Sequence, residues 1–210
     1  MAAQRGPRPL AWLSPAIVTG GIVPALWIFA RAATHGLGAN PIAEALNELG
    51  LLAFVFLLLS LACTPLRSVT GWAWPIRVRR ALGLLAFFYA LGHFLCYAVL
   101  DQGLALGTIV ADVLERPFIA FGAGALLLLT PLAITSTAGW TKRLGARRWK
   151  LLHRLAYVAG GLAAVHFILR VKKDLSEPAT YAVVLSVLLA TRLVFALKDR
   201  GSPRAPRTRV

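Results

Sequence analysis

The sequence is poor in acidic residues and in cysteine. Only 8 of its 210 residues are Asp or Glu, against 23 Lys or Arg, and the formal net charge is +15. The two cysteines, Cys63 and Cys96, lie in different hydrophobic runs and near opposite faces of the predicted topology, which argues against a disulfide. No glycine-rich dinucleotide fingerprint occurs, so the chain is not expected to bind a nicotinamide dinucleotide itself.

Long hydrophobic runs dominate what remains. Hydrophobic residues make up 58% of the chain and its mean hydropathy is +0.70, too apolar for a soluble domain of this length. Six runs come close to the ~20 residues that a helix needs to cross a bilayer. They are residues 10–30, 49–66, 81–100, 117–138, 151–170 and 179–197. The predicted fold class is therefore all-α, a polytopic membrane protein with a six-helix transmembrane bundle.

Proline and polar residues set the expected ends of these runs. The second run should stop near Pro65 and Arg67, because proline interrupts helical hydrogen bonding and the arginine ends the uncharged stretch. Pro117 suits the first turn of the fourth run, and the middle of the preceding connection, residues 101–116, is expected to form a short surface helix. We expect one transmembrane domain at residues 13–197, between a short tail at 1–12 and a basic tail at 198–210.

The positive charge carries topological information. If both termini are cytoplasmic, 18 of the 23 Lys and Arg residues fall on the inner side and 7 of the 8 acids on the outer side. The inverted topology would reverse the positive-inside rule. The sequence therefore predicts cytoplasmic termini and contact with membrane lipid, and nucleic acid is not an expected partner.

Histidines in or beside the hydrophobic runs are the candidate functional residues. An imidazole is costly to bury in hydrocarbon, so His93, His153 and His166 need a partner or a ligand. At helical rise, His93 lies about 18 Å and His166 about 22 Å from the cytoplasmic ends of their runs, which is nearly the same depth. Two such histidines can supply both axial ligands of one haem, an arrangement that suits electron transfer better than oxygen binding. No Cys-x-x-Cys-His motif occurs, which excludes the usual thioether attachment of c-type haem.

Three other features of the sequence each allow two interpretations. His153 precedes His166 by thirteen residues, about 20 Å along a helix, so it could serve a second haem nearer the inner face. Gly160 and Gly161 between them could distort the helix or allow close helix packing. The basic cluster of Arg77, Arg79 and Arg80 could anchor the cytoplasmic side, or could bind haem propionates or a flavin phosphate.

Three segments carry a family resemblance: RRALGLLAFFYALGHFLCY, LLLTPLAITS and RRWKLLHRLAYVAGGLAAVHF. Together they resemble the MsrQ, or YedZ-like, haem-binding membrane subunits within the ferric-reductase-like transmembrane superfamily, over residues 13–197. The resemblance implies a bacterial inner-membrane protein with haem b and flavin mononucleotide (FMN). Such a subunit takes electrons from the quinone pool and passes them to a periplasmic molybdopterin subunit, MsrP, that repairs oxidised methionine in periplasmic proteins.

The same resemblance places the conserved histidines of the family on His93, His153 and His166. The wider superfamily has a second histidine in the third span, but here the position thirteen residues before His93 is Arg80. A haem at His153 would therefore lack its usual second ligand. We expect one haem, and a second remains an alternative.

Two other functions compete with an electron-transfer subunit. One is a haem-free small transporter or membrane scaffold, in which the histidines line a polar path or join helices. The other is a freestanding ferric reductase that uses the same haem. The outer loops are too short for a catalytic domain, so the electron acceptor is expected to be another protein or a small solute.

Overall fold

The computed structural model describes residues 10, 12–34, 36–172 and 174–201, and these residues are almost entirely helical. The α-helices are Leu13–Ala33 (α1), Pro41–Thr70 (α2), Trp74–Leu95 (α3), Leu106–Glu115 (α4), Pro117–Ile134 (α5), Ala138–Leu152 (α6), Leu155–Arg170 (α7) and Ser176–Gly201 (α8). A π-helical turn, Cys96–Asp101, continues α3. Since the described residues contain no strand, the all-α prediction is confirmed. The predicted tails at 1–12 and 198–210 fall largely outside the described residues.

Five of the helical segments are long and apolar enough to cross a membrane by themselves: α1, α2, α3 with its π-helical turn, α5, and α8. A sixth candidate is the pair α6 and α7, which meets the same criteria together and is bent by 42° at its break. The polytopic membrane fold is thus confirmed with five or six spans, since the bent pair fits either a broken span or a re-entrant loop.

The two ends of the bundle differ in charge. One end holds the α1–α2 connection, the segment from the π-helical turn through α4, and the α7–α8 connection. This acidic face carries seven of the eight acids of the chain: Glu44, Glu48, Asp101, Asp112, Glu115, Asp174 and Glu177. The opposite end, the basic face, holds the α2–α3 turn, α6 and the α6–α7 junction. The basic and acidic residues are thus separated as the positive-inside argument assumed. That the basic face is the cytoplasmic one remains a prediction.

Helix α2 is longer than its hydrophobic run. It begins after Asn40, whose side-chain oxygen accepts a hydrogen bond from the backbone N–H of Ala43 at 3.1 Å. It continues through Pro65 and ends at Gly71, which has a left-handed φ of 75° and donates its N–H to the carbonyl of Arg67. The prediction that the helix stops near Pro65 is wrong. A single proline removes one backbone hydrogen bond, a loss that transmembrane helices tolerate, whereas the left-handed glycine ends the helix.

The connection before α5 contains the surface helix that the sequence predicted, α4. Pro117 occupies the first turn of α5, as expected. At the start of α8, the carboxylate of Asp174 accepts a hydrogen bond from the backbone N–H of Ser176 at 2.8 Å. This hydrogen bond lowers the pKa of Asp174, so the group stays charged at neutral pH.

Two antiparallel helix pairs form the bundle, α2 with α3 and α5 with α7. Helix α1 packs outside α3, and α8 packs against α2 and α7. The buried core lies where the pairs meet. Its residues are Phe54, Leu57, Leu58, Leu61, Ala86, Leu129, Ala159, Ala164 and Leu185. Cys63 and Cys96 are buried free thiols, as expected.

Small residues allow the close approach of α7 to its neighbours. A Cβ added at Gly160 would lie 3.4 Å from side-chain carbons of both Leu61 and Leu185. Helix α7 is continuous there, and the bend between α6 and α7 falls at His153 and Arg154 instead. Of the two interpretations of the glycine pair, close packing is confirmed for Gly160 and distortion is wrong.

Candidate functional site

His93 lies near the end of α3 and is oriented by α2. Its Nδ1 is 2.8 Å from the backbone carbonyl oxygen of Leu46. A carbonyl oxygen can only accept a hydrogen bond, so Nδ1 must carry the proton and donate it. The other nitrogen, Nε2, therefore keeps its lone pair free for a ligand. This is the arrangement that fixes the tautomer of a metal-binding histidine.

His166 repeats this arrangement in the other helix pair. It lies near the end of α7, and its Nδ1 is 2.6 Å from the backbone carbonyl oxygen of Phe118 on α5. The same reasoning assigns the proton to Nδ1 and the free lone pair to Nε2. Each histidine is thus held by the helix with which its own helix pairs.

The two imidazoles come together. Their ring centroids are 6.1 Å apart and their planes make an angle of 83°. Two imidazole–metal bonds of about 2 Å each, together with the distance from each nitrogen to its ring centre, span roughly 6 Å. One metal ion between the rings fits this separation. The equal depth deduced from helical rise is therefore borne out by the positions of His93 and His166.

Both histidines line one cavity of about 320 Å³ that is bounded by α2, α3, α4, α5 and α7. Most of its wall is apolar and includes Leu57, Phe94, Leu126 and Leu129. Toward the acidic face the lining becomes polar, with Asn47, Tyr97, Asp101, Arg116 and Arg170. The cavity suits a largely apolar ligand that has anionic groups at one end.

Two arginines supply the positive charge of the polar end. Arg170, on α7, donates a hydrogen bond to the side-chain oxygen of Asn47, and its guanidinium lies 6.0 Å from the ring centroid of Phe167. Arg116 pairs with Asp112 at 3.1 Å, and the other oxygen of that buried carboxylate accepts a hydrogen bond from Tyr97 at 2.8 Å. Both guanidinium groups are thereby directed to the edge of the cavity.

These two arginines were missed by sequence reasoning, which selected Arg77, Arg79 and Arg80. Those three lie at the start of α3, at the basic face, and do not line the cavity that contains the histidines. The position of Arg170 could have been predicted from its spacing to His166. It follows His166 by four residues, so it lies one turn further along the same face of α7.

The structure does not bring His153 to this cavity. His153 follows α6, at the basic face, where its ring stacks on Trp149 with centroids 3.8 Å apart. Its Nε2 is 3.2 Å from the hydroxyl of Thr135, whose backbone carbonyl accepts a hydrogen bond from the indole of Trp149. Within the described ranges, no group of three or more His, Cys, Asp or Glu residues could hold a metal ion.

The arrangement determines the possible chemistry. His93 and His166 could together hold one iron porphyrin through their two Nε2 atoms, which would supply one-electron chemistry and leave no free position for a substrate. The geometry therefore favours electron transfer.

The sequence is similar to those of known membrane proteins. Residues 49–165 match the family described as "Ferric reductase like transmembrane component". Curated relatives named protein-methionine-sulfoxide reductase heme-binding subunit MsrQ include the Deinococcus radiodurans protein, 51% identical over 90% of this chain and 93% of the relative. Those of Rhodospirillum rubrum (49% identical; 91% and 92% covered) and Brucella ovis (48% identical; 97% and 96% covered) carry the same name. The chain therefore belongs to the ferric-reductase-like transmembrane family and, within it, to the MsrQ family.

Proposed function

We propose that this protein is the haem-binding electron-transfer subunit of a methionine sulfoxide reductase system. The observation that carries the proposal is the pair of imidazoles, 6.1 Å apart and each oriented by a backbone carbonyl on a neighbouring helix. The names of the relatives agree with it, since each is called a heme-binding subunit of such a reductase. A transporter or scaffold would not need two histidines held at a metal-spanning distance.

The residues around the cavity fit a haem of the b type. His93 and His166 would bind the iron through Nε2, and the apolar walls would contact the porphyrin. Arg116 and Arg170 would bind the propionates, because guanidinium groups match carboxylates in charge and geometry. When bound, haem supplies one-electron iron chemistry.

The surrounding side chains favour fast electron exchange over catalysis. The hydrogen bonds to Leu46 and Phe118 hold both rings in place, so the ligand geometry need not change with the charge of the metal. With both His93 and His166 as ligands, the iron would have no free position for a substrate. The methionine sulfoxide reductase site would then lie on a partner subunit.

The direction of electron flow follows from the predicted topology. If the basic face is cytoplasmic, the cavity with His93 and His166 lies in the periplasmic half of the inner membrane. Its polar end then points toward a periplasmic partner, which we propose is the molybdopterin subunit MsrP. The quinone pool would be the electron donor. FMN would bind on the cytoplasmic side, where Arg77, Arg79 and Arg80 could bind its phosphate.

One haem per chain is the stoichiometry that the contacts support. A second haem at His153 would need another axial ligand, and the hydrogen-bonding neighbour of its Nε2 is the hydroxyl of Thr135. A hydroxyl is a weak ligand for haem iron compared with imidazole. His153 therefore remains outside the haem site in this proposal.

Absorbance spectroscopy of the purified protein tests the function directly. We expect a Soret band that shifts on reduction with dithionite, and reduction of added partner subunit once the haem is reduced. A folded, colourless preparation after expression with sufficient haem would favour the transporter or scaffold. Rapid reduction of iron chelates in the absence of any partner would favour a freestanding ferric reductase.

A further inference from the structure

Two glycines face the two histidines at unusually short distances. A Cβ added at Gly50, on α2, would lie 3.0 Å from Nδ1 and 3.2 Å from Cε1 of His93. A Cβ added at Gly122, on α5, would lie 2.8 Å from Nδ1 and 3.0 Å from Cε1 of His166. Ordinary van der Waals contacts begin at about 3.4 Å, so a methyl group at either position would require the imidazole to shift.

The two glycines occupy the same place relative to the hydrogen bonds. Gly50 follows Leu46 by four residues, and Gly122 follows Phe118 by four residues. In a helix, residues four apart lie above one another on one face, so each glycine is directly next to the carbonyl that accepts from Nδ1. The imidazole edge can reach that carbonyl only across a position without a side chain.

We propose that Gly50 and Gly122 are positioning residues that set the orientation of the two axial histidines toward haem iron. This proposal rests on the haem site proposed above and extends it to two residues of the cavity wall that would not bind the iron themselves. Each helix pair supplies one histidine from one helix, and one carbonyl with its glycine from the other. The same arrangement of histidine, carbonyl and glycine therefore occurs twice, once in the α2–α3 pair and once in the α5–α7 pair.

The distances set the expected order of effects. Alanine at Gly50 would require the His93 ring to retreat by about 0.4 Å, and alanine at Gly122 would require about 0.6 Å from His166. A retreat of 0.6 Å would lengthen the hydrogen bond to Phe118 to about 3.2 Å, the limit of its normal range. The Gly122 variant should therefore disturb the centre more than the Gly50 variant.

The chain offers matched glycines as controls. Gly161, on the same helix as His166, has no atom within 4 Å of an added Cβ, and Gly92, next to His93, has only a side-chain carbon of Leu49 at 4.0 Å. Alanine is a better helix former than glycine, so substitution at these two positions should be harmless. Any effect confined to Gly50 and Gly122 would then come from the cavity wall, and the haem-free double variants described below assign it to the imidazoles.

The experiment compares Gly50→Ala, Gly122→Ala, Gly92→Ala and Gly161→Ala in the haem-loaded protein by electron paramagnetic resonance (EPR) spectroscopy and redox titration. The first two should show a changed low-spin signal, a high-spin fraction and a shifted midpoint potential, with the larger change at Gly122. The two controls should match the wild type. Unchanged spectra and potentials in all four variants, with a normal bis-histidine signal in the wild type, would overturn the positioning role alone. Absence of that signal from the wild type would overturn the haem site as well.

A second measurement covers variants that fold poorly, and it needs no haem. If the clash is with the ring, removing the ring should relieve it. The double variants Gly50→Ala/His93→Ala and Gly122→Ala/His166→Ala should then recover thermal stability, measured against the His93→Ala and His166→Ala single variants. Double variants that remain as unstable as the glycine variants would contradict the proposal, because the clash would lie elsewhere.

Discussion

Replacing Arg170 by glutamine should lower the midpoint potential of the haem. A guanidinium at the edge of the cavity stabilises the reduced iron, which carries one positive charge fewer than the oxidised iron. Removing it, and leaving a propionate without its partner, therefore favours the oxidised state. Arg170 is the suitable position because it lies one turn from His166 and lines the same cavity.

The size of the shift follows from the distance. One turn of α7 and the lengths of the two side chains place the guanidinium of Arg170 about 8 to 10 Å from the iron position. At an effective dielectric constant near 20, a unit charge at that distance contributes about 2 kcal/mol, or roughly 80 mV for a one-electron couple. Because the group is half-buried, salt should screen this contribution only in part.

Redox titration followed at the Soret band measures the shift. Arg170→Lys should keep most of the potential, since it retains the charge but loses the planar fork. Arg143→Gln, an exposed change at the basic face, should shift it by about 10 mV or less, because that charge is distant and screened. A midpoint potential in Arg170→Gln equal to that of Arg143→Gln, or higher than the wild type, would refute the assignment of Arg170 to the propionates.

Three further predictions follow from the geometry. His153→Ala should keep its haem and its spectrum, because that side chain lies about 20 Å from the iron position along the chain; loss of all haem on quantitation would contradict this. Gly160→Leu should destabilise the bundle by about 1–3 kcal/mol through overpacking against Leu61 and Leu185, while Gly161→Leu should not, as measured by thermal unfolding in detergent. The 83° angle between the axial rings predicts a strongly anisotropic low-spin EPR signal, and a rhombic three-line spectrum typical of parallel rings would be inconsistent with it.

The spans and the depths of His93 and His166 could be predicted from the sequence, because both depend only on distance along the chain. Bilayer thickness sets the length of a hydrophobic run, and helical rise converts residue number to depth. That arithmetic placed His93 and His166 at one level, and the structure brings their rings together. It also kept His153 apart, since His153 precedes His166 by thirteen residues and lies at the break before α7.

Features that depend on which helices become neighbours could not be predicted. The carbonyl groups of Leu46 and Phe118 have no distinguishing residue type, and their role appears only when α2 packs on α3 and α5 on α7. Gly50 and Gly122 look like ordinary small residues of membrane helices until the imidazoles are placed beside them. The four-residue spacing of Asp112 and Arg116 is visible in the sequence, but only the packing of α4 shows that Arg116 lines the cavity.

Predictions from proline and glycine were wrong at two places. Pro65 does not end α2, because the loss of one hydrogen bond is tolerated inside a membrane helix, and Gly71 ends it instead. The Gly160–Gly161 pair does not bend α7, because the space at Gly160 is filled by neighbouring leucines. At Gly160 tertiary packing thus decided between two outcomes that local sequence left open, whereas the end of α2 is set locally by the left-handed conformation of Gly71.

The central claim, one haem held between His93 and His166, is tested most directly by the haem-to-protein ratio of the His93→Ala and His166→Ala variants in folded, purified form. The account predicts about one haem per chain in the wild type and loss of low-spin haem in each variant. A variant at either position that retains full haem with the wild-type spectrum would contradict it.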